Sequence, residues 1–409
     1  MKHPPQKHEK GSEPMHCSRK GLASFICLLV CMLSVPSQVR AARTLVVGKD
    51  QSTCPGATFS EIQAAIDQAA PGDSVHVCPG LYSEPQLSIS KPLNLNGDSG
   101  VLFVPPAFTQ NAMGLASGAP IAAGILVAGA GPVSITGITI DGINNSINAC
   151  APRVEGIYYQ NSSGKIDSVV VTNMKLGAVF NGCQSGTGIL VESGTGGSSR
   201  VEIVNCKIHD FQKNGITANE TGTFVSVHEN VVIGLGPTTG AAQNGIQIGF
   251  GAAGKIVENT VVNMIWSPCV DLNTCQAVAT NILVAESDGV VVRDNTVTIS
   301  QVGIFADGNN ETILKNRVSN SSVFDGIRVE GNGSKVLNNM VATAGEALIF
   351  VGGNDNDVVH NALSDAPVGI LKVSGSSDDK FKANDFDNVL SKIVDPLPRS
   401  LTGLLVPER

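Results

Sequence analysis

The chain has 409 residues, a formal net charge of −8 and only 15% charged side chains. An acidic surface repels phosphate backbones, so the charge argues against nucleic acid as a partner. The 45 glycines, together with many Val and Ile residues and little helical periodicity, favour an extended β architecture over a helical one.

Residues 1–41 have the pattern of a secretory signal. A polar, basic stretch over 1–20 precedes the apolar run 21–35, and small residues follow at 39–41. The run is shorter than the roughly 20 residues that a helix needs to span a bilayer, so we expect cleavage, with retention as an anchor as the alternative. Cleavage removes six basic and two acidic side chains and leaves a net charge of −8 − 6 + 2 = −12. No second apolar run follows, so we expect a secreted or periplasmic chain without membrane contact after cleavage.

Seven cysteines remain after cleavage, and an exported chain is expected to pair most of them. One pair flanks the first helix-like segment, one pair lies in a single insertion, and one pair lies in insertions of adjacent repeats. Cys206 is left over and is expected to be a buried, unreactive thiol. The predicted disulfides are Cys54–Cys78, Cys150–Cys183 and Cys269–Cys275.

The segment 58–70 is the one amphipathic helix candidate in the chain. Its apolar residues recur on one helical face, and Pro71 and Gly72 end it. We expect this helix to cover the open end of the first turn of the fold, where an exposed strand edge would invite aggregation. The residues on its apolar face are Ile62, Ala65, Ile66 and Ala69.

Two sequence markers then recur along most of the chain. The first is a Gly-Ile dipeptide, with Asn281-Ile282 and Ala347-Leu348 in the two gaps of the series, and the second is an Asn followed two residues later by an apolar side chain. In the earlier repeats Met174 and Cys206 take the place of that Asn. Such self-similarity is typical of a solenoid, in which the Asn side chains form a ladder along the stack. The Gly markers are residues 124, 156, 188, 215, 245, 303, 326 and 369, and the Asn markers are residues 230, 259, 295, 316, 339, 361 and 384.

The repeat has a constant arm and a variable arm. The spacing from the Gly marker to the Asn marker changes little, whereas the spacing from the Asn marker to the next Gly marker varies widely. Equivalent turns stack on one edge of a solenoid, so the insertions should project side by side as a wall of loops. The predicted loops are 141–155, 177–187, 234–244 and 263–280.

These patterns predict an all-β fold, a right-handed, single-stranded parallel β-helix of about ten to twelve rungs with a short N-terminal capping helix. The predicted segments are a signal peptide over 1–41, an N-terminal cap and first rung over 42–98, the parallel β-helix over 99–385 and a C-terminal cap over 386–409.

The chain resembles the pectate-lyase-like superfamily of right-handed parallel β-helices over most of residues 44–385. The element Gly80-x-Tyr82-x-Glu84 matches one in the N-terminal rung of pectin methylesterases and many exported β-helix-repeat proteins. The resemblance implies a fold rather than a reaction, because the catalytic signatures of the individual enzyme families are missing. The periplasmic maturation protein of nitrous oxide reductase shares this repeat style, so a non-enzymatic relative is equally relevant.

Candidate site residues cluster in and beside the predicted loops. Aromatic rings stack on sugars, and carboxylates on consecutive rungs approach within the roughly 5–9 Å that glycoside chemistry requires. The expected catalytic residues are Asp141, Glu155, Glu192 and Asp210. The expected substrate-binding residues are Arg153, Tyr158, Tyr159, His209 and Trp266.

A second polar row contains Asp307 and Glu330, which flank Arg328. Two stacked carboxylates with an arginine suit Ca²⁺ and a catalytic base, and the alternative is a solvated strand edge with a surface ion pair. The histidines of the mature chain have no metal-ligand spacing, so no metal site is predicted from them and calcium is the one cofactor left open.

The function that these features favour is binding, with cleavage as a further step, of a polysaccharide outside the cytoplasm. An enzyme would act as a glycoside hydrolase through two carboxylates or as a lyase on a uronic acid. The alternative is a non-catalytic β-helix that serves as a scaffold or assembly protein. A carboxylate cluster in a cleft near Tyr158 and Trp266 favours the first, and loops folded flat over the strand face favour the second.

Overall fold

A computed structural model describes residues 41–177, 182–271, 275, 277–373 and 375–395. The predicted signal peptide over 1–41 lies outside the described residues except for its last position, and the end of the C-terminal cap lies outside them as well. The elements in chain order are β1 (Thr44–Val47), α1 (Ile62–Gln68), β2 (Ser74–Val77), β3 (Gly80–Tyr82), β4 (Leu87–Ile89), β5 (Leu93–Phe103), β6 (Ala112–Met113), β7 (Pro120–Ala128), β8 (Val133–Asp141), β9 (Arg153–Gln160), β10 (Gly164–Asp167), β11 (Val170–Thr172), β12 (Thr187–Glu192), β13 (Ser199–Val204), β14 (Lys207–His209), β15 (Asn214–Asn219), β16 (Thr223–His228), β17 (Val231–Thr238), β18 (Asn244–Gly249), β19 (Ala253–Val257), β20 (Thr260–Trp266), β21 (Thr280–Ala285), β22 (Val291–Arg293), β23 (Thr296–Ser300), β24 (Val302–Ala306), β25 (Thr312–Leu314), β26 (Arg317–Ser321), β27 (Ile327–Val329), β28 (Lys335–Leu337), β29 (Met340–Ala344), β30 (Ala347–Val351), β31 (Asp357–Val359), β32 (Ala362–Lys372), β33 (Lys380–Lys382) and β34 (Asp385–Val394).

One parallel stack, here called the Gly-Ile sheet, contains every Gly-Ile marker or its substitute. Its strands pair in the order β4, β7, β9, β12, β15, β18, β21, β24, β27, β30, β32 and β34, which agrees with the predicted ten to twelve rungs. The marker glycine allows the backbone of the next rung to approach closely, because it has no Cβ. A Cβ on Gly215, for example, would lie 2.5 Å from the Gly245 carbonyl oxygen of the next rung.

Two further stacks complete the coil. The second sheet runs from β2, β5 and β8 through β10 to β33, and the third sheet runs from the end of β8 through β11 and β14 to the first part of β34. The β6–β7 pair is antiparallel, in contrast to every other described strand pairing. The Ile, Val and Leu side chains of all three sheets meet in one continuous core along the axis. The structure therefore confirms the predicted parallel β-helix.

The asparagine ladder runs along the turn between the second and third sheets. Each ladder Asn donates from Nδ2 to Oδ1 of the next one, at 2.9 Å from Asn230 to Asn259 and 3.0 Å from Asn361 to Asn384. Cys206 occupies the slot before Asn230, and its backbone N–H donates to Asn230 Oδ1 at 2.9 Å. Burial raises the pKa of the Cys206 thiol to about 12, so this free cysteine is the unreactive core residue that was expected.

The assignment of Met174 to the ladder is wrong. The preceding rung places Val169 beside Cys206, since the Lys207 N–H donates to the Val169 carbonyl at 2.9 Å. Val169 is fully buried, so the ladder slot accepts an apolar side chain where no polar neighbour needs a partner. Because Val169 is an apolar residue like many others in the core, nothing in the sequence marks this ladder position.

The Gly80-x-Tyr82-x-Glu84 element builds the N-terminal cap. Glu84 accepts the backbone N–H groups of Ile62 and Gln63 at 2.8 and 2.9 Å, so its buried carboxylate caps the first turn of α1. The Tyr82 hydroxyl donates to the Cys78 carbonyl at 2.7 Å. The element therefore has the structural role that the resemblance implied, and the predicted capping helix is confirmed.

The three predicted disulfides, Cys54–Cys78, Cys150–Cys183 and Cys269–Cys275, all form. Disulfides persist in oxidising compartments, so the chain is an exported, secreted or periplasmic protein. Among the described residues, no helix has the length and apolar character required to cross a bilayer.

The C-terminal end of the coil is formed by β34, which stacks in parallel on β32 from Asp385 to Val394. The predicted C-terminal cap, 386–409, begins within this strand, so its first part adds a further layer to the coil. The position of that boundary stays a prediction.

Candidate functional site

The outward-facing side chains of the Gly-Ile sheet form rows that run along the axis. The middle row, here called the outer row, is buried throughout, although it faces away from the core. Neighbouring protein atoms therefore shield this row from solvent along its whole length. The outer row consists of Leu126, Tyr158, Leu190, Thr217, Gln247, Leu283, Phe305, Arg328, Phe350 and Leu371.

A small polar pocket of about 70 Å³ interrupts this covered face. We call it the Glu155 pocket. Glu155 in β9, Thr187 in β12 and Asn214 in β15 are direct neighbours in register, so one side chain from each of three rungs lines it. Lys213 and Arg153 lie at the starts of β15 and β9 and line the same pocket. Three of the residues predicted for binding and catalysis, Arg153, Glu155 and Glu192, thus line one pocket.

Glu155 is the chemically distinctive group of the pocket. Its side chain is 2% exposed, and its Oε2 atom has no hydrogen-bond partner among the described residues. Burial raises the pKa of Glu155 to about 8, and a hydrogen bond with Thr187 and the charge of Arg153 offset only part of that effect. The carboxyl group is therefore protonated at neutral pH and offers a proton inside the pocket.

Lys213 has the complementary property. Its side chain is 8% exposed, and Nζ donates to the Ala242 carbonyl at 2.8 Å. Burial, with a further contribution from the positive charge of Arg153, lowers the pKa of Lys213 to about 8. An acid and an amine that both titrate near pH 8 in one cavity are the pattern expected of an acid–base pair.

Amide side chains extend the polar surface beside the pair. Asn214 Nδ2 donates to Thr217 Oγ1 at 2.8 Å and to Gln247 Oε1 at 3.1 Å, and Gln247 Nε2 donates to Asn219 Oδ1 at 3.1 Å. These groups are held by each other, so the floor of the pocket is rigid and offers its remaining donors and acceptors in fixed positions.

Glu192 lines the pocket, but its carboxylate is already occupied. It accepts the backbone N–H groups of Leu115 at 2.8 Å and Ala116 at 3.2 Å, and the Tyr158 hydroxyl donates to it at 2.5 Å. Burial, followed by the nearby Glu192, raises the pKa of Tyr158 far above its ordinary value, so the phenol keeps its proton. Tyr158 has no exposed ring face for a sugar, because residues 112–113 and its strand neighbours cover it.

The remaining predicted aromatic residues lie elsewhere. Tyr159 points into the core, where its hydroxyl donates to the Val133 carbonyl at 3.0 Å, so its ring cannot stack on a ligand. Trp266 ends β20 and packs against Leu283, Phe305 and their neighbours over the Gly-Ile sheet. Its indole nitrogen is buried without a partner among the described residues. Only part of its loop, predicted as 263–280, is described.

Asp141, His209 and Asp210 form a separate group at the end of the third sheet. Asp141 Oδ1 accepts the Ile143 N–H at 2.9 Å and Asn173 Nδ2 at 2.8 Å, which is a turn-stabilising arrangement. His209 Nδ1 lies 2.8 Å from Asp210, whose other oxygen accepts from Lys175 at 3.1 Å. None of these three residues lines the Glu155 pocket.

The row of Asp307, Arg328 and Glu330 is not a surface ion pair. Arg328 is 1% exposed and lies 3.7 Å above the Phe350 ring, with Asp325 at 2.9 Å and Glu330 at 2.6 Å as its anionic partners. Burial raises the pKa of Asp307 to about 6. The expectation of a surface ion pair was wrong for Arg328, because the neighbouring rungs place the Phe305 and Phe350 rings against its guanidinium group. Glu330 keeps a partly exposed side chain at the edge.

The described residues contain one group with metal-ligand proximity, namely His76, Cys78 and Asp98. Cys78 is in a disulfide, so it has no thiolate to offer. The carboxylates of the Asp307 row do not converge in this way, and a calcium site there stays a prediction without support from the geometry.

Sequence reasoning missed Lys213 and the segment that covers Tyr158. Lys213 lies two residues before the Gly215 marker, next to the register position that Glu155 and Thr187 occupy directly before their own markers, so its place was readable. The covering segment, residues 104–119, precedes the first marker and was not counted among the insertions.

The family model described as "Periplasmic copper-binding protein (NosD)" matches residues 268–395, less than half of the chain. No curated protein matches the sequence. The A-module of the Azotobacter vinelandii mannuronan C-5 epimerase AlgE6 superposes with a TM-score of 0.54 at 15% identity, covering 85% of this chain and 95% of that one. This likeness extends over most of the chain and agrees with the parallel β-helix described above.

Two further structures share this fold. The GH136 lacto-N-biosidase from Eubacterium ramulus has a TM-score of 0.53 at 10% identity, covering 85% of this chain and 67% of that one. The Dettilon tailspike protein has a TM-score of 0.52 at 16% identity, covering 80% of this chain, which spans 63% of the tailspike. At these identities the likeness establishes the fold alone.

The described part of segment 268–395 does not fit a copper site. Copper sites in proteins use thiolate, thioether and imidazole ligands. Here Cys269 and Cys275 are joined in a disulfide, and His360 and Met340 are the one histidine and the one methionine of the segment. His360 belongs to no cluster of histidine, cysteine and carboxylate ligands among the described residues.

Proposed function

We propose that this chain is an exported polysaccharide-binding protein and that the Glu155 pocket receives an acidic sugar residue. The observation that carries the proposal is the combination of Arg153, Lys213 and a protonated Glu155 in one polar cavity on the Gly-Ile sheet. The mature chain is strongly acidic, so an anionic glycan needs a local positive charge, which Arg153 provides, while the Lys213 amine adds a hydrogen-bonding group beside it.

The same groups support proton transfer rather than hydrolysis by two carboxylates. The second carboxylate near Glu155 is that of Glu192, which is held by two backbone N–H groups and the Tyr158 hydroxyl. An acid–base pair of Glu155 and Lys213 instead suits removal of the proton next to the carboxylate of a uronic acid, as in β-elimination. Lys213 would accept this proton and Glu155 would donate one to the departing oxygen.

This reaction requires a neutral Lys213 and a protonated Glu155 at the same time. Both pKa values lie near 8. Below pH 7 the amine is protonated and cannot act as a base, and above pH 9 the carboxyl is ionised and cannot act as an acid. The rate of formation of unsaturated product should therefore pass through a maximum near pH 8.

The test uses residues 42–409 with acidic polysaccharides, namely polygalacturonate and alginate, and a neutral glucan, each with and without Ca²⁺. We expect calorimetric binding to an acidic chain and at least a tenfold weaker affinity in Lys213→Met, which removes the buried amine. The matched control is Lys335→Met, an exposed lysine in β28 far from the pocket in the chain. The proposal fails if no acidic polysaccharide binds, or if both variants bind like the parent.

The second candidate function is a non-catalytic scaffold or assembly protein. It is favoured by the burial of Leu283, Phe305 and Phe350 along the outer row, which leaves these three side chains out of reach of a ligand. A scaffold would bind none of the tested polysaccharides and would form no unsaturated product. The binding test therefore distinguishes the two functions.

A further inference from the structure

The Glu155 pocket is too small and too buried to admit a sugar as it stands. Its volume is about 70 Å³, whereas a cavity of roughly 150 Å³ holds a single benzene molecule, which is smaller than a pyranose ring. Glu155, Lys213 and Gln247 are all buried. A ligand can reach these groups only if a covering segment moves.

The segment on one side of the pocket is the hairpin of residues 111–119, which we call the strap. Its residues Gly114, Ala116 and Ser117 form one wall of the pocket. Most of the strap is exposed to solvent, and the antiparallel pairing that supports it joins only two residues of β6 to β7. Such a segment belongs to the least stable part of a fold.

The tip and the base of the strap are held differently. At the base, the Asn111 side chain accepts from and donates to the Ala123 backbone, both at 2.9 Å. At the tip, the carboxylate of Glu192 accepts the N–H groups of Leu115 and Ala116, and Gln160 Nε2 donates to the Met113 carbonyl at 2.8 Å. The base can therefore act as a hinge when the tip releases the carboxylate.

We propose that the strap is the gate of the Glu155 pocket and that Glu192 is its latch. This inference rests on the proposed function only for the identity of the ligand that enters the pocket. Glu192 positions the strap through its carboxylate and takes no part in proton transfer, since its oxygens are used by the strap and by Tyr158. The Glu192 carboxylate holds the tip through two charge-assisted hydrogen bonds. A ligand can break both at once by competing for the same N–H donors.

The structure offers a direct way to lock the gate. A Cβ on Gly194, at the end of the rung that carries Glu192, would lie 3.5 Å from Leu115 Cβ. Cβ atoms of bonded cysteines are about 3.5–4.5 Å apart. The double variant Leu115→Cys, Gly194→Cys should therefore form a cross-link without moving the backbone, and failure to cross-link under a mild oxidant would contradict the closed strap.

The gate is tested by the reactivity of Lys213 with acetic anhydride, read by mass spectrometry of the peptide that contains it. We expect acetylation at least tenfold slower in the cross-linked variant than in Leu115→Cys with its thiol alkylated, and faster in Glu192→Ala than in the parent chain. Acetylation of the exposed Lys335 in the same samples is the internal reference and should be unchanged. Equal Lys213 rates in the cross-linked and single variants overturn the gate.

Polysaccharide binding to the same variants separates the two proposals. The cross-linked chain should lose the affinity that the single variant retains. If no variant binds an acidic polysaccharide and cross-linking still protects Lys213, the gate stands and the proposed ligand is wrong. If the cross-linked chain binds as well as the single variant, the strap does not control entry.

Discussion

The clearest consequence of the pocket is that Glu155 lowers the stability of the folded chain at alkaline pH. Burial raises its pKa from 4.5 to about 8. Between these values the folded chain keeps a proton that the unfolded chain has lost, so stability falls as the pH rises through this window. Each pH unit corresponds to about 1.4 kcal/mol, so the full effect above pH 8 is on the order of 5 kcal/mol.

Glu155→Gln removes this titration and retains the shape and one hydrogen-bond donor of the protonated acid. We expect the variant to match the parent chain below about pH 4.5 and to become progressively more stable than the parent up to about pH 8, with a constant difference beyond. All other groups, Lys213 included, are common to both chains, so their difference isolates Glu155.

The assay is urea unfolding followed by circular dichroism at a series of values between about pH 5 and pH 9. Glu258→Gln, at an exposed turn position, is the matched control for the chemical change. A difference between Glu155→Gln and the parent that stays within about 1 kcal/mol at every pH would show that the carboxyl is solvated. The protonated acid of the proposed reaction would then be absent.

Three further changes test the scaffold. Asn316→Ala removes four side-chain hydrogen bonds to neighbouring rungs and should cost about 3–5 kcal/mol in urea unfolding, since buried partners lose their bonds. Arg328→Met should cost a similar 3–5 kcal/mol because it leaves Asp325 buried without its cation, and adding Asp325→Asn should restore part of that loss. Replacing Cys54 and Cys78 by serine should cost about 3 kcal/mol, because their disulfide closes a loop with a sequence separation of 24.

Each of these changes has an outcome that contradicts its reasoning. Asn388→Ala, which removes one exposed hydrogen bond to Asp365, should change stability by less than about 0.5 kcal/mol, and a ladder variant that is equally mild would mean that the ladder is solvated. A double variant at 325 and 328 no more stable than Arg328→Met would show that the two charges are not coupled. An unchanged unfolding midpoint without the first disulfide would show that the N-terminal cap unfolds independently of the rungs.

The sequence by itself determined the coil, because its evidence is local and repeated. The Gly markers report a position where a Cβ would meet the carbonyl of the next rung, as at Gly215. The Asn markers report a slot whose amide must hydrogen-bond both neighbouring rungs. Each rung has the same steric limit at the Gly position and the same hydrogen-bond requirement at the Asn position, so the two residues recur along the chain. The cap helix and three disulfides could be predicted for the same reason.

The tertiary structure decided which outward positions stay accessible, and hence the candidate site. Tyr158 and Tyr159 are adjacent, yet one lies under the strap and the other in the core. Arg328 looked like a surface residue until its flanking rungs supplied Phe305 and Phe350. Contacts of this kind join segments far apart in sequence, so no local pattern records them.

Glu155 shows most directly what the sequence determines and what the tertiary structure decides. The sequence placed it at the end of the predicted loop 141–155, and its carboxyl was one candidate acid among several. Its desolvation depends on Lys213, two rungs away, and on the strap, which reaches the sheet through Glu192. Burial by distant segments sets the pKa of a side chain, whereas the repeat sets only its position.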